Sequence, residues 1–254
     1  MKKLSLVIAS KNDLYNAKHT TPLFRLQTSL KQTLSNSGNT NLEIIIVDYG
    51  SDEKIEDTLE INDKRIKFIY VDKEECAKYH TPFNEVKCIN RGAKNATGNF
   101  VGRLDQDTFV GKEFFDWFDT DECAINNFYF SGRQESNYFY NDSVPCELEY
   151  THTVGYAKRN WFKTMVGILL IPTHIWIESS GYNEKNIFFN HMEHEFITRL
   201  KHKYSLINLG SKLNFPFYHL HHDRDSSEQR KSNKHIKNAI LKNQPFIANE
   251  ENWG

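Results

Sequence analysis

The chain has 254 residues, enough to bury a substantial core in one large domain. It carries 32 basic residues (Lys and Arg) against 33 acidic ones (Asp and Glu), so the formal net charge is −1. This balance lacks the basic excess of nucleic-acid-binding proteins, and we expect no nucleic-acid partner. No apolar run reaches membrane-spanning length, so we expect no transmembrane segment; peripheral attachment to a membrane stays open.

The four cysteines, at positions 76, 88, 123 and 146, form no C-x-x-C pair. This spacing argues against a zinc site of that type. Free thiols in a reducing compartment are the simplest interpretation, which predicts a cytoplasmic protein, and two disulfides are the alternative.

Apolar runs alternate with helical spacings along the first half of the chain. Short apolar runs predict strands at Leu4–Ala9, Leu42–Val47, Ile66–Val71 and 99–104. Helices are predicted between them, from Pro22 to residue 34, over Asp52–Ile61 and over Phe83–Asn95. This alternation predicts an α/β fold with a parallel, doubly wound sheet.

The second half is less regular. The pattern predicts helices at Phe114–Phe118 and Asn190–Lys203 and strands at Val166–Ile171, Tyr204–Leu209 and Phe215–Leu220. Residues 131–163 are predicted to form a long loop or a weakly ordered hairpin of the kind that carries binding function. The polar tail from Asp223 contains Ile236, Ile240 and Leu241, which predict a last amphipathic helix. No repeat or linker divides the chain.

Two carboxylates, Asp105 and Asp107, follow the predicted strand 99–104. Open α/β sheets bind ligands at the carboxyl ends of their strands. One carboxylate there could bind Mg²⁺ or Mn²⁺ while the other holds a ribose hydroxyl or a water on the cation. An isolated Asp-x-Asp also occurs in solvated turns. Similar polar turns, at Asn12 and Asp48, follow the first two strands, whereas the P-loop and G-x-G-x-x-G markers of Walker NTPases and nicotinamide enzymes are missing.

Several segments together resemble known glycosyltransferases. Segments 5–12 (SLVIASKN), 43–51 (EIIIVDYGS), 90–101 (NRGAKNATGNFV) and 105–107 (DQD) are similar to the successive signatures of GT-A-fold family 2 enzymes. Segments 167–172 (GILLIP), 181–184 (GYNE), 191–200 (HMEHEFITRL) and 222–225 (HDRD) are similar to the C-terminal part of β-1,4-galactosyltransferases of family 7.

The resemblance implies a fold, a domain plan and a reaction. The fold would be GT-A, a Rossmann-like, mostly parallel central sheet flanked by helices, with a smaller irregular acceptor-side lobe. One catalytic domain would comprise a nucleotide-sugar half (about 1–110), an acceptor half (about 111–225) and a polar tail (226–254). The enzyme would move a hexose or N-acetylhexosamine from a UDP-sugar donor to a glycan, polysaccharide or glycolipid acceptor.

Site residues follow from the same resemblance. The nucleotide-sugar would be bound by Ser10, Lys11, Asn12, Asp48, Tyr49, Asn90, Arg91, Asp105 and Gln106. Mn²⁺ or Mg²⁺ would be held by Asp107 and His222, with His219 as second choice among the histidines. The acceptor would contact Phe188, Phe189 and His191. Asn90 and Arg91 could equally be ordinary helix residues, and Lys94 and Arg103 could approach the diphosphate or be solvated.

The catalytic segment departs from the family pattern. Glu193 stands where the family has its catalytic aspartate, Met192 replaces the preceding glutamate, and Glu195 is the competing candidate. Tyr49 replaces the second aspartate after the second strand, so uracil recognition would rest on Asp48 alone or on stacking against Tyr49. Both glutamates could also belong to a solvated helix face.

A base opposite the leaving group implies single displacement with inversion, and Glu193 would be that base. Two alternatives stay open: a retaining GalNAc-type transferase of the same fold, and a catalytically inactive sugar- or nucleotide-binding protein.

Overall fold

A computed structural model describes residues 2–14, 17, 20–79, 81–136, 150–154, 166–185, 192–220, 222 and 245–254. The strands are β1 (Leu4–Ser10), β2 (Leu42–Tyr49), β3 (Ile66–Val71), β4 (Phe100–Leu104), β5 (Thr108–Val110), β6 (Asn127–Ser136), β7 (Tyr150–Val154), β8 (Val166–Pro172), β9 (Ser205–Asn208) and β10 (Phe217–His219). The helices are α1 (Pro22–Asn36), α2 (Ile55–Thr58), α3 (Lys73–Ala77), α4 (Glu85–Lys94), α5 (Lys112–Phe118), α6 (Thr173–Glu178), α7 (Met192–Leu200) and α8 (Gly210–Leu213).

The strands form one curled, mixed sheet in the order β3-β2-β1-β4-β8-β6-β10-β5, with β7 and β9 also paired to β6. The first four strands are parallel, β8 is antiparallel to both β4 and β6, and β10 runs parallel to β6. The predicted α/β class with a mostly parallel sheet is confirmed.

Alternate residues of the central strands supply two separate cores. Leu6 and Ile8 of β1 pack on the face covered by α1 and α5, while Val7 and Ala9 pack on the face covered by α4, α6 and α7. Because both faces are covered, β1 is buried along its whole length, as expected of a parallel strand. The charged ends of α4 and α7 therefore lie over the same face of the sheet.

Local sequence sets the helix starts on both faces. Thr21 caps α1 by accepting a hydrogen bond from the Phe24 N–H (3.1 Å), with Pro22 at the first helical position. Asn84 caps α4 by accepting from the Lys87 N–H (3.1 Å). A Cβ atom on Gly92 would lie 2.2 Å from a methyl carbon of Val7, so glycine allows α4 to pack closely on β1.

Three element predictions need correction. The helix predicted over Asp52–Ile61 is only the four-residue α2, because Ile55 is its one buried residue and the chain is extended again at Leu59. Residues 131–136 are not a loop but the end of the long strand β6, which pairs antiparallel with β7, as the hairpin alternative predicts, and with β8 in the main sheet. The residues here are polar, so the sequence lacks the apolar pattern of a strand. The last strand begins at Phe217, because Asn214 and Phe215 have positive φ angles. The short elements α3, β5, α6 and α8 were not predicted.

The described C-terminal residues pack onto the turn after α6. The Asn249 side chain donates hydrogen bonds to the carbonyl oxygens of Ser180 and Tyr182 (2.6 Å each), and the Gly254 N–H donates to Glu184 (2.7 Å). The predicted helix around Ile236 and Ile240 lies outside the described residues. Among the residues that the structure describes, no helix combines the length and apolar character that a membrane span requires.

Candidate active site

Polar residues from the ends of β1, β2 and β4 meet at the carboxyl edge of the parallel strands. The Ser10 hydroxyl donates to the Gln106 side-chain oxygen (2.6 Å), and the Asn12 N–H donates to Ser51 Oγ (2.7 Å). The Gln106 carbonyl accepts from Ser29 of α1 (2.6 Å). The sheet thus brings together three of the predicted nucleotide-sugar residues, Ser10, Asn12 and Gln106.

Asp48 and Tyr49 point to opposite faces of β2. The Asp48 carboxylate accepts from the Ile55 N–H (2.9 Å), from the Ser51 N–H (3.2 Å) and from the Ser51 hydroxyl, so it organises the turn that starts α2. The Tyr49 ring is 1% exposed and packs edge-on against Phe83. Stacking of uracil on Tyr49 is therefore not available in this structure, since strand alternation turns that side chain into the core.

Asn90, Arg91 and Lys94 of α4 have protein partners away from the carboxyl edge. The buried Asn90 amide donates to the Tyr182 carbonyl (2.9 Å) and to Glu184 (3.0 Å). Arg91 makes a two-pronged pair with Glu75 (2.6 and 3.0 Å), and Lys94 donates to the Trp253 carbonyl (2.5 Å). These contacts fit the alternative of ordinary helix residues. At the edge itself, Lys11 donates to the Pro82 carbonyl (3.1 Å).

Asp107, His219 and His222 converge as a compact group. His219 Nε2 lies 3.2 Å from one Asp107 carboxylate oxygen, and His222 Nε2 lies 3.1 Å from the other. Antiparallel pairing of β10 with β5 sets His219 opposite Thr108, and the Leu220 N–H donates to the Asp107 carbonyl (2.7 Å). One potential ligand atom from each of the three residues lies within 4.8 Å of the others.

The donor chemistry of this group fits a divalent cation. It offers a carboxylate oxygen and two imidazole nitrogens, a set typical of transition-metal sites rather than all-oxygen Mg²⁺ or Ca²⁺ sites. Burial alone would raise the Asp107 pKa, but the two histidines outweigh burial and hold the pKa well below its usual value. Arg25, fully buried on α1, places its Nε 3.8 Å from the Asp107 carboxylate and adds positive charge on that side.

Arg103 joins carboxylates from three elements. Its guanidinium lies 2.6 Å from Asp105, 3.4 Å from Glu193 of α7, and in hydrogen-bond contact with Glu85 of α4. Asp105 is also bound by Arg133 of β6 (2.6 Å). Arg103 is neither solvated nor facing an open diphosphate site, because its side chain is 5% exposed among these acids. No sequence pattern pointed to Glu85 or Arg133, because their partners are distant along the chain.

The two candidate bases of α7 differ sharply in environment. Glu195 is 1% exposed and forms an ion pair with Arg199 (2.5 Å), which also donates to the carbonyls of Ser179 and Gly181. Glu193 belongs to a group that we call the Arg103 cluster, formed by Arg103 and Arg133 with Glu85, Asp105 and Glu193. The Glu193 side chain is partly exposed. Burial, partly offset by Arg199, raises the Glu195 pKa. The predicted acceptor residues Phe188, Phe189 and His191 lie outside the described residues.

Comparison with solved structures finds several that share the architecture of this chain. The structure of S. aureus TarS 1-349 superposes with a TM-score of 0.57 at 16% identity, covering 86% of this chain and 60% of that one. TarS 1-349 in complex with UDP-GlcNAc gives 0.54 at 16%, with 91% and 61% covered. A Drosophila β1,4-galactosyltransferase 7 mutant in complex with manganese, UDP-Gal and xylobiose gives 0.54 at 13%, with 96% and 81% covered.

These likenesses show the fold, which is GT-A. The chain spans about 60% of the length of the TarS structures. No curated protein sequence matched the chain. The family model for glycosyl transferase family 2 matches residues 15–185, well over half of the chain, and the chain therefore belongs to glycosyl transferase family 2.

Proposed function

We propose that this glycosyltransferase is a metal-dependent, inverting enzyme that uses a UDP-sugar. The observation that carries the proposal is that Glu193 and the Asp107 group are connected along one sheet edge, by ion pairs and by neighbouring residues of the chain. Glu193 contacts Arg103, Arg103 contacts Asp105, and Asp105 is two residues from Asp107 with its two histidines. This arrangement supports the proposal, since group transfer from a nucleotide-sugar needs both a metal-type donor set and a carboxylate that can act as base.

The chain's own residues would divide the work. Asp107, His219 and His222 would bind the cation, and the imidazole donors favour Mn²⁺ over Mg²⁺. A bound cation would supply neutralisation of the charge that develops on the departing nucleoside diphosphate. Ser10, Asn12 and Gln106 would face the nucleotide, and Asp48 would keep the turn after β2 in place.

Glu193 would act as the general base. Its carboxylate would take the proton of an acceptor hydroxyl while that oxygen bonds to the anomeric carbon. The bond from the anomeric carbon to the phosphate oxygen would break, and its electron pair would leave with UDP. Attack opposite the leaving group would invert the anomeric configuration. The acceptor would be a glycan or glycolipid, with Phe188, Phe189 and His191 as predicted contacts. The cytoplasmic location also stays a prediction.

A donor panel tests the proposal. UDP release is measured with UDP-Glc, UDP-Gal, UDP-GlcNAc and UDP-GalNAc, each with Mn²⁺ or with a chelator, and with and without oligosaccharide acceptors. We expect one donor to be consumed only with metal, with product NMR showing inversion. Retention of configuration would favour the GalNAc-type alternative. Tight UDP binding in Mn²⁺ without turnover of any donor and acceptor pair would favour the inactive binding protein.

A further inference from the structure

The Arg103 cluster contains more acid than base. Three carboxylates, Glu85, Asp105 and Glu193, surround Arg103, and Arg133 is the second cation that binds Asp105. With all these groups ionised, negative charge exceeds positive charge by one. Burying carboxylates close to one another is costly, and this crowding favours a raised pKa for one of the acids.

Glu85 is the acid that does so. Its pKa is raised to about 7, first by burial and also by the neighbouring charges of Asp105 and Glu193, against the opposing effect of Arg103. Tyr182 also lies near these groups. Its buried hydroxyl has no hydrogen-bond partner among the described residues. Burial raises the Tyr182 pKa, and the charges of Glu193, Arg103 and Glu85 also act on it. Glu85 and Glu193 therefore depend on the same guanidinium.

Topology explains why the three elements meet there. Arg103 and Val101 of β4 face the same side of the sheet, the side covered by α4 and α7. Glu85 is the first residue of α4 and Glu193 the second of α7, so both helices present carboxylates at their N-terminal ends. Arg103 thus contacts both Asp105, a predicted nucleotide-sugar residue, and Glu193, the candidate base on α7.

We propose that Arg103 is a positioning residue that orients the Glu193 carboxylate for transfer, and that Glu85 competes with Glu193 for the Arg103 guanidinium. The inference rests on the proposed function, in which Glu193 is the base. When Glu85 is protonated, the positive charge of Arg103 acts more strongly on Glu193 and weakens it as a base. When Glu85 ionises, its negative charge offsets part of the charge of Arg103, so Glu193 becomes the stronger base while it keeps its contact with the guanidinium.

The pH dependence of kcat tests the competition. Wild type and Glu85→Gln are compared from pH 6 to 8 at saturating UDP-sugar, acceptor and Mn²⁺. The ratio of the two rates cancels the ionisations that both proteins share, including those of the metal ligands. We expect the ratio of wild type to variant to rise about 10-fold across this range, as one ionisation would cause. A ratio that stays constant would overturn the role of Glu85.

Substitution of Arg103 tests the positioning role. Arg103→Met would remove the cation that three carboxylates share and would endanger folding. Arg103→Lys keeps the charge but loses the planar fork, so it is the main variant. We expect kcat to fall about 10- to 100-fold, the size of effect seen when the partner that orients a functional group is lost. The KM for UDP-sugar should change less than about 3-fold, because Asp105 keeps its contact with Arg133.

Arg65→Lys is the matched control. Arg65 makes an equally fork-like pair with Asp63 (2.7 Å) just before β3, far along the sheet from the cluster. Its kcat should equal that of wild type. An Arg103→Lys enzyme with wild-type kcat, or one whose loss lies entirely in KM, would overturn the inference.

The Glu193→Gln enzyme distinguishes failure of the positioning role of Arg103 from failure of the proposed base. If Glu193→Gln is inactive and Arg103→Lys is unaffected, only the positioning role fails. If Glu193→Gln transfers sugar at the wild-type rate, the proposed base itself is wrong.

Discussion

Carboxylates are buried at both edges of the parallel sheet, but the partners that surround them differ. At the amino edge, Glu43 is 2% exposed and accepts from Ser5 (2.5 Å), from the Thr97 N–H (2.6 Å) and from Lys67 (2.7 Å). At the carboxyl edge, Glu85, Asp105 and Glu193 share Arg103, and Arg133 also binds Asp105. One acid is fully satisfied, whereas three others compete.

The pKa values follow this difference. Burial would raise the Glu43 pKa, but the hydrogen bonds from Lys67, Ser5 and Thr97 outweigh it and lower the value to about 2. Burial raises the Glu85 pKa to about 7. Acids with many hydrogen-bond partners stabilise a fold, whereas crowded acids with a raised pKa are candidates for a functional site. The comparison therefore supports the proposed site at the carboxyl edge.

The largest effect is expected from substitution of Glu193, the proposed base at the carboxyl edge. Glu193→Gln should lower the transfer rate by about 1000-fold, since general-base catalysis contributes roughly that much, while UDP binding in Mn²⁺ is retained. Transfer kinetics and calorimetric UDP titration measure the two quantities.

Glu195→Gln is the matched control on the same helix. It removes one partner of the buried pair with Arg199 and should lower the free energy of unfolding by on the order of 3 kcal/mol. Folded Glu195→Gln protein should keep its transfer rate. If Glu195→Gln lost transfer and Glu193→Gln kept it, the assignment of the two glutamates would be reversed.

A second test removes the metal ligand. Asp107→Ala should lower Mn²⁺-dependent UDP affinity by about 100-fold, because the two histidines lose the carboxylate that joins them. The exposed Asp116, paired with Lys112 on α5, gives the control variant Asp116→Ala, whose affinity should be unchanged. Equal UDP affinity of Asp107→Ala and wild type in Mn²⁺ would remove Asp107 from the site.

The smallest expected effect concerns the amino edge. Because the folded pKa of Glu43 lies below its ordinary value of 4.5, Glu43 stabilises the fold above pH 4.5, and this stabilisation is lost as the pH falls toward about 2. Glu43→Gln should lower the free energy of unfolding by on the order of 2 kcal/mol at pH 7 and reduce the acid sensitivity. Denaturant titration at pH 7 and pH 3 measures both quantities.

Transfer by folded Glu43→Gln should equal that of wild type. Glu122→Gln, at an exposed ion pair with Lys212, is the control and should leave stability nearly unchanged. Loss of transfer in folded Glu43→Gln would mean that the two edges are not functionally separate.

Sequence patterns predicted the parts that depend on local signals. The apolar runs of β1, β2 and β4 marked the buried strands. The family resemblance pointed to Asp107 and His222, with His219 as second choice, whereas the structure groups all three. The residues of the Arg103 cluster were not brought together by any pattern, because ion pairs between residues 85, 103 and 193 depend on the fold.

Side-chain direction was a second source of error. Tyr49 and Asn90 lie within matching motifs, yet one packs in the core and the other binds the turn at Tyr182. Arg133 lay in a segment that resembled a loop, since β6 has no apolar side chain from Ser131 to Ser136 and so lacks the alternation typical of a strand. Motif spacing predicts which residues belong to a site more reliably than which way each one faces.

The most direct test is anomalous diffraction at the manganese edge from crystals grown with Mn²⁺ and UDP. The proposed site predicts one strong anomalous peak within coordination distance of the Asp107 carboxylate and of the imidazole nitrogens of His219 and His222, with the UDP diphosphate beside it. A peak at another place, or bound UDP with no manganese between these three residues, would contradict the account.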